Sequence, residues 1–322
     1  MKQILRIVTL IMVGFAGGLG PAAAQSYPAK PIRLIVPFPP GGPIDVMGRL
    51  IAQQLAPTLG QMVVENKPGA GGTIASRLVA SAEPDGYTLM IATSTTMGVS
   101  PKLYKNLEFD PQKSFAPIAF LASSPFVLVV KPAVPARNAQ ELIAYAKANP
   151  GKLNFGFPTA TLPHLTGELF MQRAGVKIQS IPYKGAAAVI TDLLAGQIDM
   201  AFEPTQVTIG QIKDGHVRPL AITSTARHPL LPEVPTLSES GLPGFQSLSW
   251  TGVVAPAGTA AAIVGKLNSA INTALNTAEM KSAMARLGVE SKPGTPAAFE
   301  AFITEELPKW ANVLKSSGLK LQ

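Results

Sequence analysis

The sequence predicts an α/β protein of two domains, built on parallel sheets covered by helices on both faces. Three observations carry that expectation. From residue 32 onward, apolar runs of strand length alternate with apolar stretches of helical period. The turns between them are rich in Gly, Pro and hydroxyl residues. Two stretches, near residues 120–128 and 246–252, read as crossovers, which divide the chain into a discontinuous first domain (25–122 plus 250–322) and a continuous second one (123–249).

The first unit sets the pattern. Residues 32–36 are a short apolar run, Pro37-Phe38-Pro39-Pro40-Gly41-Gly42 is a turn, and a helix follows with the stripe Val46, Met47, Leu50, Ile51 and Leu55. A strand that breaks into Gly-Gly and restarts as a helix leaves backbone N–H groups free at the helix N-terminus. With the positive end of the helix dipole they suit a carboxylate or a phosphate, although the same spacing also serves an ordinary strand–helix connection. A second strand at 61–66 leads through Lys67-Pro68-Gly69-Ala70-Gly71-Gly72-Thr73 into a helix at 75–82. No Gly-Lys-Ser/Thr follows, so this is not a P-loop. After the turn Pro84-Asp85-Gly86, a third strand at 87–92 ends at Thr93-Ser94-Thr95-Thr96. Ligands collect outside the C-terminal edges of strands in open α/β sheets, so these hydroxyls are either ligand contacts or helix caps.

Two apolar runs, 118–122 and 126–130, flank Ser123-Ser124-Pro125 as the first crossover. A helix at 138–148 is N-capped by Asn138 and carries Leu142, Ile143 and Ala146 on one stripe. Beyond Pro150-Gly151 come a strand at 153–156, the loop 157–163 and a helix at 164–174. A strand at 178–182 and the turn Tyr183-Lys184-Gly185 precede a helix at 186–195. Strands at 198–202 and 218–224 enclose a short helix at 209–214, and residues 229–235 are irregular. Residues 249–256 cross back, and helices at 260–276, 279–287 and 296–316 close the chain.

The bulk numbers bound the function. The chain has 322 residues, 47% hydrophobic and 14% charged, with a mean hydropathy of +0.25. Beyond the N-terminus no run of about 18 apolar residues occurs, so no internal membrane helix is expected. The N-terminus itself reads as a signal peptide, residues 1–24. Lys2 and Arg6 are its basic region, residues 7–19 its apolar region and Ala22-Ala23-Ala24 its cleavage site, which predicts export to a bacterial periplasm. The chain has no Cys, which excludes a lipoprotein anchor, disulfides, thiolate metal sites and a Cys nucleophile. A net charge of +8, reduced by the loss of Lys2 and Arg6, is mild and unclustered. It argues against nucleic acid and suits small anions.

No catalytic constellation assembles. The histidines are His164, His216 and His228. His164 has a Glu four residues on but no second His, so the zinc motif is incomplete. There is no Gly-x-Ser-x-Gly elbow. Asp45, Asp192 and Asp199 fall near expected sheet edges or helix starts, as caps or as residues that orient a binding loop. Lys184 reads as a Schiff-base lysine, an anion partner or a solvated turn residue.

Several stretches together resemble one family. They are Val36-Pro37-Phe38-Pro39-Pro40-Gly41-Gly42-Pro43-Ile44-Asp45, Glu65-Asn66-Lys67-Pro68-Gly69-Ala70-Gly71-Gly72, Pro84-Asp85-Gly86-Tyr87-Thr88-Leu89, His164-Leu165-Thr166-Gly167-Glu168, Pro182-Tyr183-Lys184-Gly185, Asp192-Leu193-Leu194-Ala195-Gly196-Gln197-Ile198-Asp199 and Ala255-Pro256-Ala257-Gly258-Thr259. In this order, over the whole mature chain, they are similar to the Bug (Bordetella uptake gene) family, the extracytoplasmic receptors of tripartite tricarboxylate transporters. The resemblance implies a Venus-flytrap periplasmic binding protein, type II-like, with two crossover strands. It implies no enzyme activity and no cofactor, a small carboxylate as ligand, permease subunits as partners, and a monomer. Carried over by motif, the first-domain ligand contacts are Phe38, Pro40, Gly41, Gly42 and Asp45, with Ser94 and Thr95 near them. The second-domain contacts are Thr159, Thr161, His164, Lys184, Gly185 and Asp199.

The chain departs from the family in three places. The second-domain loop usually reads Gly-Ser-x-Gly-x-Gly-Ser/Thr before Pro-His-Leu. Here it is Gly156-Phe157-Pro158-Thr159-Ala160-Thr161-Leu162-Pro163, without the inner glycines. Phe157 and Leu162 are expected to add apolar surface, which favours an aromatic carboxylate over citrate and adds Phe157 to the candidate contacts. Glu203 stands where the family has Asp, and Thr251 where it has an aromatic. The rival readings are a periplasmic sensor on the same fold and a secreted hydrolase on the same scaffold.

Overall fold

The structure is a computed structural model that describes residues 27–316 apart from 105–106, 160, 184 and 287. The segment 1–24 read as a signal peptide lies outside the described residues. The chain opens with β1 (Ile32–Val36), α1 (Pro43–Leu59), β2 (Met62–Asn66), α2 (Thr73–Ala80) and β3 (Thr88–Thr93). β1 lies between β2 and β3 and runs parallel to both, with Leu34 opposite Val64 and Leu89. A π-helical turn (Thr95–Val99) and the short α3 (Ser100–Leu103) lead to β4 (Phe115–Val130).

The two apolar runs expected around Ser123-Ser124-Pro125 are one unbroken strand of 16 residues. Its first part, Phe115 to Pro125, pairs antiparallel with β9 (Leu248–Pro256). Its last five residues pair with β7 (Met200–Pro204) on one edge, and the last four, from Val127, pair with β8 (Arg218–Ile222) on the other. Pro125 ends the pairing with β9 and Phe126 begins that with β7, so the proline stands where the strand changes partners. Pro117 sits at a register shift, the other place a strand tolerates a missing N–H.

Beyond β4 the chain forms α4 (Ala139–Ala148), β5 (Asn154–Pro158), α5 (Leu162–Ala174), β6 (Gln179–Tyr183), α6 (Ala186–Leu194), β7, α7 (Thr205–Lys213) and β8. After β9 come α8 (Ala261–Asn276), α9 (Ala278–Arg286), the two-residue β10 (Glu290–Ser291) and α10 (Pro296–Ser316). The strands follow the order β2-β1-β3-β9-β4-β7-β5-β6, with β8 and β10 also on β4. Asn138 caps α4 as expected, its side chain accepting from the Glu141 N–H.

Each part of the sheet is buried on both faces, the reason its strands read as near-continuous apolar runs. In the first part Leu34 and Ile91 pack with Ile51 of α1 and Ile271 of α8, while Ile35 and Met90 on the opposite face pack with Val79 of α2 and Phe299 of α10. α1 approaches β1 so closely that a Cβ on Gly48 would lie 2.9 Å from the Val36 side chain. In the second part Phe155, Phe170 and Phe202 fill one face, and Val127, Val189 and Ala201 the other. α10 serves both parts, since Phe299 and Ile303 belong to the first core and Trp310 and Val313 to the second.

Candidate functional site

The strand register locates the cleft. β3 ends at Thr93, which pairs with Thr251, and Thr251 pairs with Ala122 of β4. β7 runs the opposite way along β4 and ends at Pro204, opposite Phe126. Four residues of strand span about 13 Å. The C-terminal edges of the two parallel sets therefore face each other across the switch in β4. The loops after β1 and β3 meet those after β5, β6 and β7 there, where α/β proteins bind small ligands.

On the first side the loop after β1 is shaped by Gly41, whose φ of +82° falls where only glycine is unstrained, and by Gly42, which caps α1 ahead of Pro43. Asp45 is only 2% exposed and holds this loop. Its Oδ2 accepts from the Gly41 N–H at 2.8 Å and from Arg49 Nε at 2.9 Å, and its Oδ1 accepts from Asn66 Nδ2 at 2.8 Å. Asn66 also donates to the Phe38 carbonyl. The Arg49 guanidinium, with the two other donors, outweighs burial and holds the Asp45 carboxyl down at about 2. With both oxygens engaged, Asp45 braces the loop. Pro40 and Gly41 stand exposed, and Phe38 and Gly42 half-buried. The first N–H groups of α1, beyond Pro43, have no intrahelical partner, which leaves a nest for an anion.

Ser94 is buried and Thr95 half-buried where the chain leaves β3. Their neighbours cap the turn, the Thr96 N–H donating to Thr93 Oγ1 and the Thr93 N–H to Thr96 Oγ1. The Gly-rich loop after β2 packs alongside, with Gly72 between Thr96 and Pro37.

On the second side Thr159 is exposed, its N–H donating to the Tyr183 carbonyl, and Thr161 caps α5 while its hydroxyl donates to the Pro158 carbonyl. Gly185, half-buried, caps α6. Lys184 lies outside the described residues. His164 is 5% exposed, stacked on Phe157 with ring centroids 3.8 Å apart, and its Nε2 lies 3.7 Å from Glu168. Burial pushes His164 down to about 4, so the ring is neutral near pH 7, and it raises the Glu168 carboxyl. His164, Phe157 and Thr159 border a groove between α5 and β6 that Glu168 and Ser180 also line.

A separate cavity of about 380 Å³ opens at the hinge itself. Gly41, Ile44 and Met47 line it from the first side, Pro204 and Val207 from the second, and Ser123 and Thr251 from the crossover strands. It shares no lining residue with the groove beside His164.

Two expectations need correction. Asp199 does not join the cleft: it lies ahead of β7 at the opposite sheet edge, with Lys131 Nζ 2.9 Å away and the Asn154 N–H donating to it. The strand expected at 198–202 runs from Met200 to Pro204, so Asp199 precedes it at the amino end, away from the Pro204 end that faces the cleft. Phe157 and Leu162 do not wall the cleft either, because both sit in the second core, packed with Phe155 and Leu165. The sequence reading gave Ile44, Val46 and Val207 no place at the site, and set Val46 on the apolar stripe of α1, whereas it is 41% exposed. The sequence signal was apolar residues one helical turn from a Gly- or Pro-capped N-terminus on each side, four apart at Pro43 to Met47.

Two lobes of α/β structure joined by crossover strands, with helix N-termini aimed into the gap, define a solute-binding protein. The chain belongs to the tripartite tricarboxylate transporter receptor family, whose model matches residues 47–319. It is 37% identical to Protein BugT of Bordetella pertussis, over all of this chain and 99% of that one. Among solved structures it is similar to Rpa4515 of R. palustris with adipate, at 33% identity and a TM-score of 0.80, covering 91% of this chain and 98% of that one. MatC from Rhodopseudomonas palustris with bound malate matches at 32% identity and a TM-score of 0.77, covering 89% of this chain and 100% of that one. These relatives are solute-binding receptors rather than enzymes, and their fold is the periplasmic-binding-protein fold expected from the sequence. Among the described residues no helix is long and apolar enough to cross a membrane, and no group of three or more metal-ligating side chains gathers.

Proposed function

We propose that this receptor captures a small carboxylate in the cleft between its two lobes and delivers it to the permease subunits of a tripartite transporter. The observation that carries the reading is the loop at Gly41-Gly42, braced by Asp45 and opening at the N-terminus of α1 onto the facing loops of the second side. Relatives solved with adipate and malate support the ligand class. The lobes that close are residues 25–122 with 250–322, and residues 123–249, moving about the β4 and β9 crossovers. The mature protein works in the periplasm as a monomer after loss of residues 1–24. Ligand contacts come from Pro40, Gly41, Gly42, Ser94 and Thr95 on one lobe and from Thr159, Thr161, Lys184 and Gly185 on the other.

The test is a thermal-shift screen of residues 25–322 against succinate, malate, adipate, citrate, benzoate and hexanoate. A ligand that binds only the folded state stabilises it by RT ln(1 + [L]/Kd), about 2.7 kcal/mol at a hundredfold excess over Kd. A rise in Tm with at least one carboxylate, absent with the matching amide, is the expected result. An unchanged Tm with every carboxylate at millimolar concentration rejects the reading.

A further inference from the structure

We propose that the hinge cavity is an apolar subsite for the uncharged alkyl or aryl body of the ligand, so that this receptor takes a carboxylate charged at one end only. The inference rests on the reading of the cleft as a carboxylate site and specifies what that site selects.

Continuity comes first. Gly41 and Pro43, from the loop that forms the anion nest, also line the cavity. A carboxylate held at the N-terminus of α1 therefore has the cavity directly beside it, and the rest of the ligand has that way to go. Composition comes second. Ile44, Val46, Met47, Val207 and Val289 supply the walls, and among the described residues no Lys, Arg, His, Asp or Glu lines the cavity. The polar side chains are three Ser, Thr251 and Trp250, whose buried indole N–H has no hydrogen-bond partner among the described residues. A second carboxylate placed here would give up its hydration without meeting a cation, which is costly. An uncharged chain or ring gains by the same transfer.

Size and exposure agree. A cavity of about 150 Å³ lined by aliphatic and aromatic side chains already holds benzene. At about 380 Å³ this one has room for a ring or a chain of several carbons. Val46 on α1 and Val207 on α7 are 41% and 44% exposed, two aliphatic side chains left to solvent on helices of opposite lobes at one cavity. An apolar ligand body between them would cover both, linking ligand entry to lobe closure. The ligands of the related structures, adipate and malate, carry a carboxylate at each end. This chain would differ from those relatives in the chemistry of the far end.

Calorimetric titration of the mature protein with butanoate, hexanoate, adipate and 3-phenylpropanoate tests the proposal. The expected result is affinity rising about fourfold for each methylene from butanoate to hexanoate, from about 0.8 kcal/mol per buried methylene. Hexanoate or 3-phenylpropanoate should also bind at least about tenfold tighter than adipate, since the distal charge must be desolvated. Which of the two binds tighter assigns the body as alkyl or aryl. Val207→Asp, a change at an exposed position that a melting curve can show to be folded, should weaken hexanoate about tenfold, since it brings an uncompensated charge to the apolar wall. Adipate binding as tightly as hexanoate, or V207D leaving hexanoate unchanged, overturns the apolar subsite while the carboxylate receptor stands. No binding by any of the four acids, with none found in the wider carboxylate screen, overturns both.

Discussion

Ser124 Oγ lies 2.9 Å from Thr205 Oγ1, and both hydroxyls reach the Gly288 carbonyl, at 3.3 and 3.1 Å. Ser124 stands on β4 just before the strand changes partners, Thr205 opens α7, and Gly288 follows α9. Three segments from both lobes thus meet at one buried carbonyl. Each hydroxyl has a single proton, so one of the two donates to the other, which in turn donates to the Gly288 carbonyl.

Thr205→Val removes one of the two hydroxyls at the Gly288 carbonyl, together with the hydrogen bond between them, and leaves Ser124 to satisfy that carbonyl alone. A loss of about 1–2 kcal/mol is expected, read as a fall of a few degrees in Tm. Thr205→Ser, which keeps the hydroxyl, should recover most of it. Equal losses in the two variants would mean that packing, and not the hydrogen bond, matters here.

Asp45→Asn keeps the size of the brace but discards its charge. The Arg49 contact and the Gly41 N–H then share a weaker acceptor, and the loop at Gly41-Gly42 loosens. Carboxylate affinity is expected to fall about tenfold, the effect of about 1.4 kcal/mol, measured by titration calorimetry. Held at about 2 against an ordinary 3.8, Asp45 contributes stability that is full above pH 3.8 and is lost as pH falls through 2. Wild type should therefore keep a loop-dependent advantage over D45N at pH 5 and surrender it near pH 2.

Glu203 is 1% exposed, and neither carboxyl oxygen has a hydrogen-bond partner among the described residues. Burial pushes it up to about 8 from an ordinary 4.5. Between those values the folded chain keeps a proton that the unfolded chain releases, so stability declines as pH rises from 4.5 to 8 and then levels. In Glu203→Gln this slope should vanish, leaving the variant a higher Tm relative to wild type at pH 8 than at pH 5. Parallel Tm profiles for the two proteins would show that Glu203 does not titrate in this window.

Asp199→Ala tests the corrected position of that residue. The Lys131 ion pair and the bond from the Asn154 N–H tie the amino ends of β5 and β7 to β4, so their loss should cost about 2 kcal/mol of stability for a partly buried pair. Carboxylate affinity should not change, because the residue is at the far edge of the sheet. A tenfold loss of affinity with unchanged Tm would return Asp199 to the site.

The units that bear the site were legible because their signals are local. Gly41-Gly42-Pro43 announces a strand end and a helix start, and Asn138 with Glu141 announces another. Longer-range outcomes left no such mark. Ser123-Ser124-Pro125 has the composition of a break, yet the strand runs through it, because the ladder changes partners there. Phe157 and Leu162 read as surface in a loop that lost its glycines, whereas tertiary packing draws Phe157 onto His164 and Leu162 into the core. Asp199 stands at the amino end of its strand in the sequence reading too, and its place in the site came from the family motif alone, which carries no information on which sheet edge it occupies. The hinge cavity needed Ile44, Val207 and Val289, from three distant stretches, and no periodicity connects them.

The position of β9 bears on how the protein comes into being. β9 lies between β3 and β4, with Val253 paired to Ile91 on one side and to Ala119 on the other, although more than a hundred residues separate it from either. Until residue 256 is available, β3 and β4 have no partner on those edges, and the first lobe is an incomplete sheet. A chain threaded outward from its N-terminus would thus stay unfinished until most of its length had emerged. Premature closure of the first lobe's sheet is therefore disfavoured by topology alone.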